Sequence, residues 1–444
     1  MSSHRRASAA VAAVLCLLFA ACTSQTDEPE ADGEDGPAGL AANNAAADST
    51  VGITEDSINV AFVGVDFSAL AGTGLVPELG DQEAQVTALV EEINEEGGIG
   101  GRQINLHFEL IDGISGGQDV IQAACIAATE EFEAAVAILP PAAARVLTEC
   151  TAVTNQTLTI YATGMDDALY GEADGRLFTP SGISIDRQLR AQARAMDDLG
   201  VLDDETIGVV SGSNPPEFVS VVEDVLIPEL EQLGHDPAEV ITVPCEQLTT
   251  CEQYDATAQR LKDAGVTTVF MNLANTFGAG LVEAATNIDY HPRWLMEGNQ
   301  TTDTVSGFFE SVKDEWDGAV GLGFAFSEPE DIRPLSTECN EIVTTRSGEE
   351  YEAGTDAFGF TAQVCSEFRL LDLAGDAIAD GEMTQGALIS AMEELGTIEL
   401  PAGPEDGTIS PTKHDGLNFM YLCDYSAAEG FCVRRPDEPI RVDD

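Results

Sequence analysis

From residue 56 onward the chain alternates short β-rich runs with amphipathic helical runs, and it does so in two successive series. "INVAFVGVD" (58–66) reads as a strand, and "GDQEAQVTALVEEINEEGG" (80–98) as a helix with Val86, Leu89, Val90 and Ile93 on one face. "INLHFELID" (104–112) and "AAVAILP" (134–140) are strands separated by the helical "GQDVIQAACIAATEEF". "AAARVLTECTAVTNQ" is a helix leading into the strand "LTIYAT" (158–163). After a link, "RLFTPSGIS", the series restarts with the helix "DRQLRAQARAMDDLG" and the strand "TIGVVSG" (206–212). It continues through "PEFVSVVEDVLIPELEQLG" (helix), "EVITVPC" (strand), "CEQYDATAQRLKDAG" (helix), "TTVFMNLA" (267–274, strand), "GAGLVEAATNI" (helix) and "RWLMEG" (293–298, strand). Strands joined by helical crossovers pair in parallel. The expected fold class is therefore α/β, with two lobes, each a parallel sheet flanked by helices. A chain of 444 residues is long enough for two such lobes of ~150–200 residues. Residues 336–395 read as mostly helical, and 396–444 as turns and short strands.

The amino terminus reads as an address. In "MSSHRRASAAVAAVLCLLFAAC" a basic start (Arg5, Arg6) precedes a short apolar run and small residues, the pattern of a secretory signal too short to span a membrane. Its end, "LFAAC", resembles a bacterial lipobox, with Cys22 as the lipidated residue after cleavage and Phe19 where Leu is usual. Residues 23–50 are acidic, small and turn-rich, and read as a disordered tether with an end-to-end distance of roughly 30 Å. No other stretch is long and apolar enough to cross a membrane.

Cys16 leaves with the signal and Cys22 takes lipid, which leaves eight cysteines in an oxidising compartment. Cys125, Cys150, Cys245, Cys251, Cys339, Cys365, Cys423 and Cys432 fall as four neighbouring pairs, each within one expected supersecondary unit. Disulfides between neighbours are the expected pairing, although eight cysteines allow 105 connectivities. The chain has no C-x-x-C and no His at ligand spacing from two Cys, so no metal is expected.

Charge excludes another class. Lys plus Arg number 19 against 79 Asp plus Glu, a net charge of −60. Such a chain repels nucleic acid and anionic lipid headgroups. The acid is spread over the whole length and reads as a solvated surface that tolerates high salt.

Two glycine motifs bear on chemistry. "GGIGGR" (97–102) suggests a phosphate loop, but it follows a helix and opens a strand, the reverse of what anion binding at a helix start requires. Gly97 or Gly98 is expected to close the helix in a left-handed conformation, and Gly100 and Gly101 to turn the chain into the next strand. "GISGG" (113–117) fits G-x-S-x-G between a strand and a helix, which makes Ser115 a candidate hydrolase nucleophile with His414 as its best partner. Ligands of open parallel sheets bind at the carboxyl ends of strands. Here those ends are "DFSALAGTG", "PPAAA", "TGMDD", "SGSNPPEF", "LANTFG" and "EGNQTTD".

The ordered runs "GITEDSINVAFVGVDFSALAG", "LVEEINEEGGIGGRQINLHFELID" and "AAVAILPP" resemble the type I periplasmic solute-binding proteins. They are most similar to the branched-chain amino acid, amide and urea branch that serves ABC importers. The carriers are Ile93, Asn94, Gly97, Gly98, Ile99, Gly101, Arg102 and Asp112, and the likeness covers about residues 52–325 and more loosely the rest. The resemblance implies two lobes joined by three crossings, placed near 178–182, 322–328 and 400–412. It divides the chain into a signal (1–21), a tether (22–50), an N-terminal lobe (56–180 plus 327–400) and a C-terminal lobe (181–326 plus 405–444). It also implies a monomeric, lipid-anchored extracytoplasmic protein that captures a small polar solute and passes it to an ABC permease and its ATPase, with no cofactor and no catalysis. The site it implies is Phe67, Ser68, Thr73, Pro141, Ala142, Ala143, Thr163, Phe218, Asn275, Phe277 and Asn299. Amino acid binders of this family hold the carboxylate with hydroxyls and backbone N–H groups, and the ammonium with an acid of the second lobe. This sequence departs on both counts, with alanines at 142–144 and no acid in "ANTFG" (274–278). A neutral amide, a urea-like molecule or a carboxylate thereby competes with an amino acid as ligand. A secreted hydrolase using Ser115 and a tethered sensor domain are the alternative readings.

Overall fold

A computed structural model of the protein describes residues 49–70, 78–113, 117–140, 145–214, 216–247, 250–272, 275–297, 312–323, 332–378, 381–403, 406–429, 431–435 and 439–442. The first lobe is built on β1 (Ser57–Asp66), β2 (Gln103–Asp112), β3 (Val136–Leu139), β4 (Leu158–Tyr161) and β5 (Leu177–Phe178), in the order β2-β1-β3-β4-β5. All neighbours are parallel. The alternation of β1 is read out directly by its two faces. Ile58, Val60 and Phe62 enter one core and Ala61 and Val63 the other. A strand buried on both sides needs a continuous apolar run, which β3 has; β4 is equally buried but carries Thr159, whose hydroxyl is satisfied by Thr151 and the Thr157 carbonyl.

The second sheet contains β6 (Ile207–Gly212), β7 (Glu239–Val243), β10 (Thr268–Asn272), β11 (Arg293–Glu297) and β12 (Val320–Gly323), parallel in the order β7-β6-β10-β11-β12. A hairpin, β8 (Cys245–Gln247) with β9 (Thr250–Cys251), precedes β10. The helix expected from "CEQYDATAQRLKDAG" consequently starts only at Tyr254. The tail does more than turn. After the hairpin β13 (Gly396–Ile398) with β14 (Gly407–Ile409), β15 (Phe419–Ser426) joins the open edge of β12, and β16 (Phe431–Arg434) joins β15. Both additions are antiparallel, so the second sheet is mixed rather than wholly parallel. β15 enters from the first lobe without a helical crossover, so nothing imposes a parallel direction on it. β17 (Ile440–Arg441) pairs on β15.

The helices Pro334–Ser347, Asp356–Ile378 and Gln385–Glu394 follow the parallel strands of the second sheet in the chain but pack in the first lobe's core, through Val343, Phe360, Phe368, Leu388 and Met392. Two of the connections between the lobes run side by side. Thr179 N–H donates to the His414 carbonyl (2.9 Å), Gly416 N–H to Thr179 (2.9 Å) and Leu417 N–H to Gly182 (3.0 Å). Much of the expected middle crossing lies outside the described residues.

The glycine loop does what its polarity implies. Gly97, Gly98, Gly100 and Gly101 all have positive φ (126, 77, 52 and 83°). Gly98 N–H closes the helix Gln82–Glu96 onto the Ile93 carbonyl at 2.8 Å. Ile99 and Arg102 exchange N–H···O bonds of 2.8 and 3.0 Å around Gly100–Gly101, the two-residue turn that demands positive φ at both centres. The Asn94 side chain caps the start of β2 by accepting from Ile104 N–H (2.7 Å) and donating to its carbonyl (3.2 Å).

Four disulfides join Cys125–Cys150, Cys245–Cys251, Cys339–Cys365 and Cys423–Cys432. Cys22 and the signal segment lie outside the described residues.

Candidate functional site

β1 and β2 end in register at Asp66 and Asp112. Asp66 Oδ1 accepts from Ser68 N–H at 2.8 Å, which sets the exit of β1. Phe67 is half-buried, and its ring lies where a side chain on Gly113 would stand, 2.6 Å from an ideal Cβ. Ser68 is exposed.

At the end of β4, Tyr161 is only 5% exposed, and its hydroxyl bonds the Thr163 side chain. Burial pushes the Tyr161 phenol up to about 12; the Thr163 bond opposes this, while the nearby acids Glu367 and Glu217 add to it. Gly164 follows, with an ideal Cβ 1.7 Å from the Ile183 carbonyl, so a side chain here would wedge β4 from the first crossing.

Arg145 starts the helix after β3. Its Nε donates to Glu149 Oε1 (2.7 Å) and its Nη1 to Asp166 Oδ2. Asp166 is itself buried and fixed, because its other oxygen caps the next helix by accepting from Leu169 N–H at 2.8 Å. The second lobe brings Glu217 and Phe218 after β6. Phe218 is half-buried, and its carbonyl accepts from Asn272 Nδ2 (3.4 Å) at the end of β10. Glu217 is 8% exposed, and its Oε2 has no hydrogen-bond partner among the described residues. Desolvation raises the Glu217 carboxyl; a hydrogen bond from its own backbone N–H and the charge of Arg145 lower it, whereas Asp166 and Glu149 raise it.

Thr163 and Phe218 therefore sit with a group that sequence reasoning missed: Arg145, Tyr161, Asp166 and Glu217. An acid of the second lobe does stand within electrostatic reach of Arg145, after β6 rather than in "ANTFG". Two signals pointed to the group. Arg145 is a rare cation immediately after "PPAAA", and Glu217 is the acid in "SGSNPPEF". Thr73, Pro141, Ala142, Ala143 and Asn299 lie outside the described residues; Asn275 and Phe277 fall in the first turn of the helix Asn275–Asn287.

Beside the cleft, the crossings carry a buried ion cluster. Asp415 pairs with Arg187 and with Lys413 Nζ (3.4 Å) and accepts from Ser184 N–H (2.7 Å). His414, one residue earlier, is tied to the first lobe through the Leu177 carbonyl (3.1 Å) and Glu393 (3.0 Å), and stacks on Phe178 with ring centroids 4.2 Å apart. Both ring nitrogens are thus engaged in the hinge, not presented to a nucleophile. Ser115 lies outside the described residues. Among the described residues no group of three or more His, Cys, Asp or Glu side chains is arranged to hold a metal, and no helix is long and apolar enough to cross a membrane.

Residues 70–428 match the family model described as "Periplasmic binding protein". The chain belongs to the periplasmic binding protein family. Its fold is that of the type I members that serve ABC transporters. One similar structure is a solute-binding protein of an ABC transporter from R. palustris in complex with 4-hydroxybenzoate, with a TM-score of 0.63 and 15% identity, covering 87% of this chain and 98% of that one. A leucine-, isoleucine-, valine-, threonine- and alanine-binding protein from Brucella ovis, in a closed conformation, gives 0.62 and 16%, covering 87% and 96%. A leucine-binding protein from Thermotoga maritima gives 0.61 and 13%, covering 86% and 98%. No curated protein matches the sequence. The family is one of small-molecule binding proteins, not enzymes, and implies an extracytoplasmic location.

Proposed function

We propose that this periplasmic binding protein is the lipid-anchored receptor of an ABC importer, capturing a small polar solute between its lobes and delivering the closed complex to a permease. The observation that carries this reading is the meeting of side chains from strand ends of two sheets. Arg145, Tyr161 and Asp166 of the first lobe lie within electrostatic reach of Glu217 of the second. A solute touching both sides binds the closed state better than the open one and shifts the population toward it. The expected contacts are Phe67, Ser68, Thr163 and Phe218, joined by Arg145, Tyr161 and Glu217. The remaining contacts, Thr73, Pro141, Ala142, Ala143, Asn275, Phe277 and Asn299, come from the family resemblance. Relatives of this fold are crystallised with an aromatic acid or with isoleucine, so both chemistries belong in a first panel.

The test is thermal unfolding of the purified protein with branched-chain amino acids, amides, urea and small carboxylates. A ligand at 100 times its Kd adds about 2.7 kcal/mol of stability. A panel without any shift would refute solute capture for those classes. Anchoring through Cys22 predicts that Cys22→Ala releases the protein from the membrane fraction; unchanged retention would refute it.

A further inference from the structure

The chain leaves β6 toward Phe218 at Ser213, and Ser213 is held by its side chain. β6 and β7 pair in parallel up to Gly212 and Val243. Ser213 N–H continues the ladder by donating to the Val243 carbonyl at 2.9 Å. The next rung of a parallel ladder would run from Cys245 N–H to the Ser213 carbonyl. Here Cys245 N–H donates to Ser213 Oγ instead (2.8 Å), and that hydroxyl donates in turn to the Cys245 carbonyl (3.4 Å). A group that both accepts and donates replaces the main chain in the last rung, which frees the backbone to leave the sheet. Pro215 and Pro216 follow and supply no backbone N–H. The far end of the loop is tied where Asn272 Nδ2 donates to the Phe218 carbonyl (3.4 Å). Cys245 is itself fixed by covalent closure. The disulfide to Cys251 joins the paired strands β8 and β9, and Glu252 N–H donates to the Pro244 carbonyl (2.8 Å). Cys245 is buried in one core with Val210, Val243 and Leu261. The same hairpin leads into the helix Tyr254–Asp263, and an ideal Cβ on Gly280, in the helix Asn275–Asn287, would stand 2.5 Å from the Tyr254 ring. The hairpin and the residues that follow it thus abut both the loop after β6 and the helix after β10.

We propose that the Cys245–Cys251 hairpin braces the solute site and that Ser213 is the positioning residue through which it sets the loop carrying Phe218. This rests on the reading of the cleft as the solute site. Ser213 acts through Phe218 and touches no solute itself. Without the hydroxyl, Cys245 N–H loses its acceptor, and a donor left unpaired in a desolvated place is costly. The Ser213 carbonyl, its ordinary partner in a parallel ladder, is the group that would replace it. That exchange draws the loop back into the sheet and Phe218 away from the cleft. Opening the disulfide releases the same contact from the other side, because Cys245 is then held by its main chain alone. Both changes act through one contact, so their effects should not add.

The experiment compares Ser213→Ala, Ser213→Thr, the pair Cys245→Ala with Cys251→Ala, and Ser213→Ala combined with that pair, each as the whole mature protein. The control is Cys423→Ala with Cys432→Ala, which opens a disulfide of similar span, 9 residues against 6, at the opposite edge of the same sheet. Hydrogen exchange of residues 213–222 is read without ligand. Affinities for leucine, isoleucine, leucinamide, urea and 4-hydroxybenzoate are read by calorimetry, and unfolding midpoints report that each variant folds. Ser213→Ala and the Cys245/Cys251 variant should each speed exchange in 213–222. Each should weaken the probes that bind wild type by about tenfold, the loss set by one buried hydrogen bond. The combined variant should bind no worse than the Cys245/Cys251 variant. Ser213→Thr, which keeps the hydroxyl, and the control should bind as wild type does. Unchanged exchange in Ser213→Ala and in the Cys245/Cys251 variant would overturn the brace. Faster exchange with unchanged affinity, additive losses, or an equal loss in the control would overturn the positioning role and leave solute capture standing. Silence from every probe in wild type would count against solute capture itself, and against the positioning role with it.

Discussion

Glu367 offers a sharp test of how this fold is balanced. It lies in the middle of the helix Asp356–Ile378, between Val364 and Phe368 on the apolar side, and is 0% exposed. Neither carboxyl oxygen has a hydrogen-bond partner among the described residues. Burial holds its carboxyl well above the usual glutamate value, so the native protein keeps the proton. An unsatisfied buried polar group costs about 1–3 kcal/mol. Glu367→Met keeps an unbranched chain of similar length and removes the polar atoms, so it should stabilise the protein by about that amount. At acid pH this is the whole effect. Above the ordinary value of 4.5 the unfolded chain releases a proton that the native state retains. The stability contributed by the raised group is therefore complete below 4.5 and is lost as pH rises toward the native value. The advantage of the variant should grow with pH over that interval, by up to about 1.4 kcal/mol per unit. Denaturant unfolding of both proteins at pH 4.5, 6 and 8 measures the difference, and effects common to the acidic surface cancel. A variant less stable than wild type at every pH would refute the reasoning. A gap independent of pH would refute the protonation half of it.

Three further outcomes follow from particular contacts. Asp415→Ala leaves Arg187 and Lys413 buried without their shared carboxylate, and should lower stability by about 3–5 kcal/mol, read from the unfolding midpoint; a loss under 1 kcal/mol would show that the cluster is hydrated. Removing Cys125–Cys150 by paired alanines should cost about 3.5 kcal/mol against about 2 for Cys245–Cys251, because the closed segments span 25 and 6 residues; equal losses would contradict the chain-entropy account. A net charge of −60 predicts a melting temperature that rises from millimolar to molar salt as self-repulsion is screened, and a flat profile would show that the acids do not repel one another appreciably.

Much of the fold was legible because its cues are local. The apolar run of β1, whose alternate residues enter two cores, and the helical stripe of Val86, Leu89 and Val90 are properties of neighbouring residues. The loop at 97–102 was readable for the same reason: only glycine accepts positive φ at four positions out of five without strain. Disulfide partners that are chain neighbours, such as Cys423 and Cys432 across the β15–β16 hairpin, needed no long-range knowledge. Thr163 and Phe218 could be proposed as site residues because they follow strands.

The short strand Leu177–Phe178 passed as a link, since two residues have no period. The antiparallel entry of β15 depends on where the chain returns from the first lobe, which no hydrophobic pattern encodes. Seventy-nine acids give no hint which one matters, because charge in a sequence has no location. The sequence alone determined the two α/β series, the turns between them and the family. Only the tertiary structure set Glu217 against Arg145 and sealed Glu367 from water, because the solvation and field at a carboxylate come from groups distant in the chain and near in space.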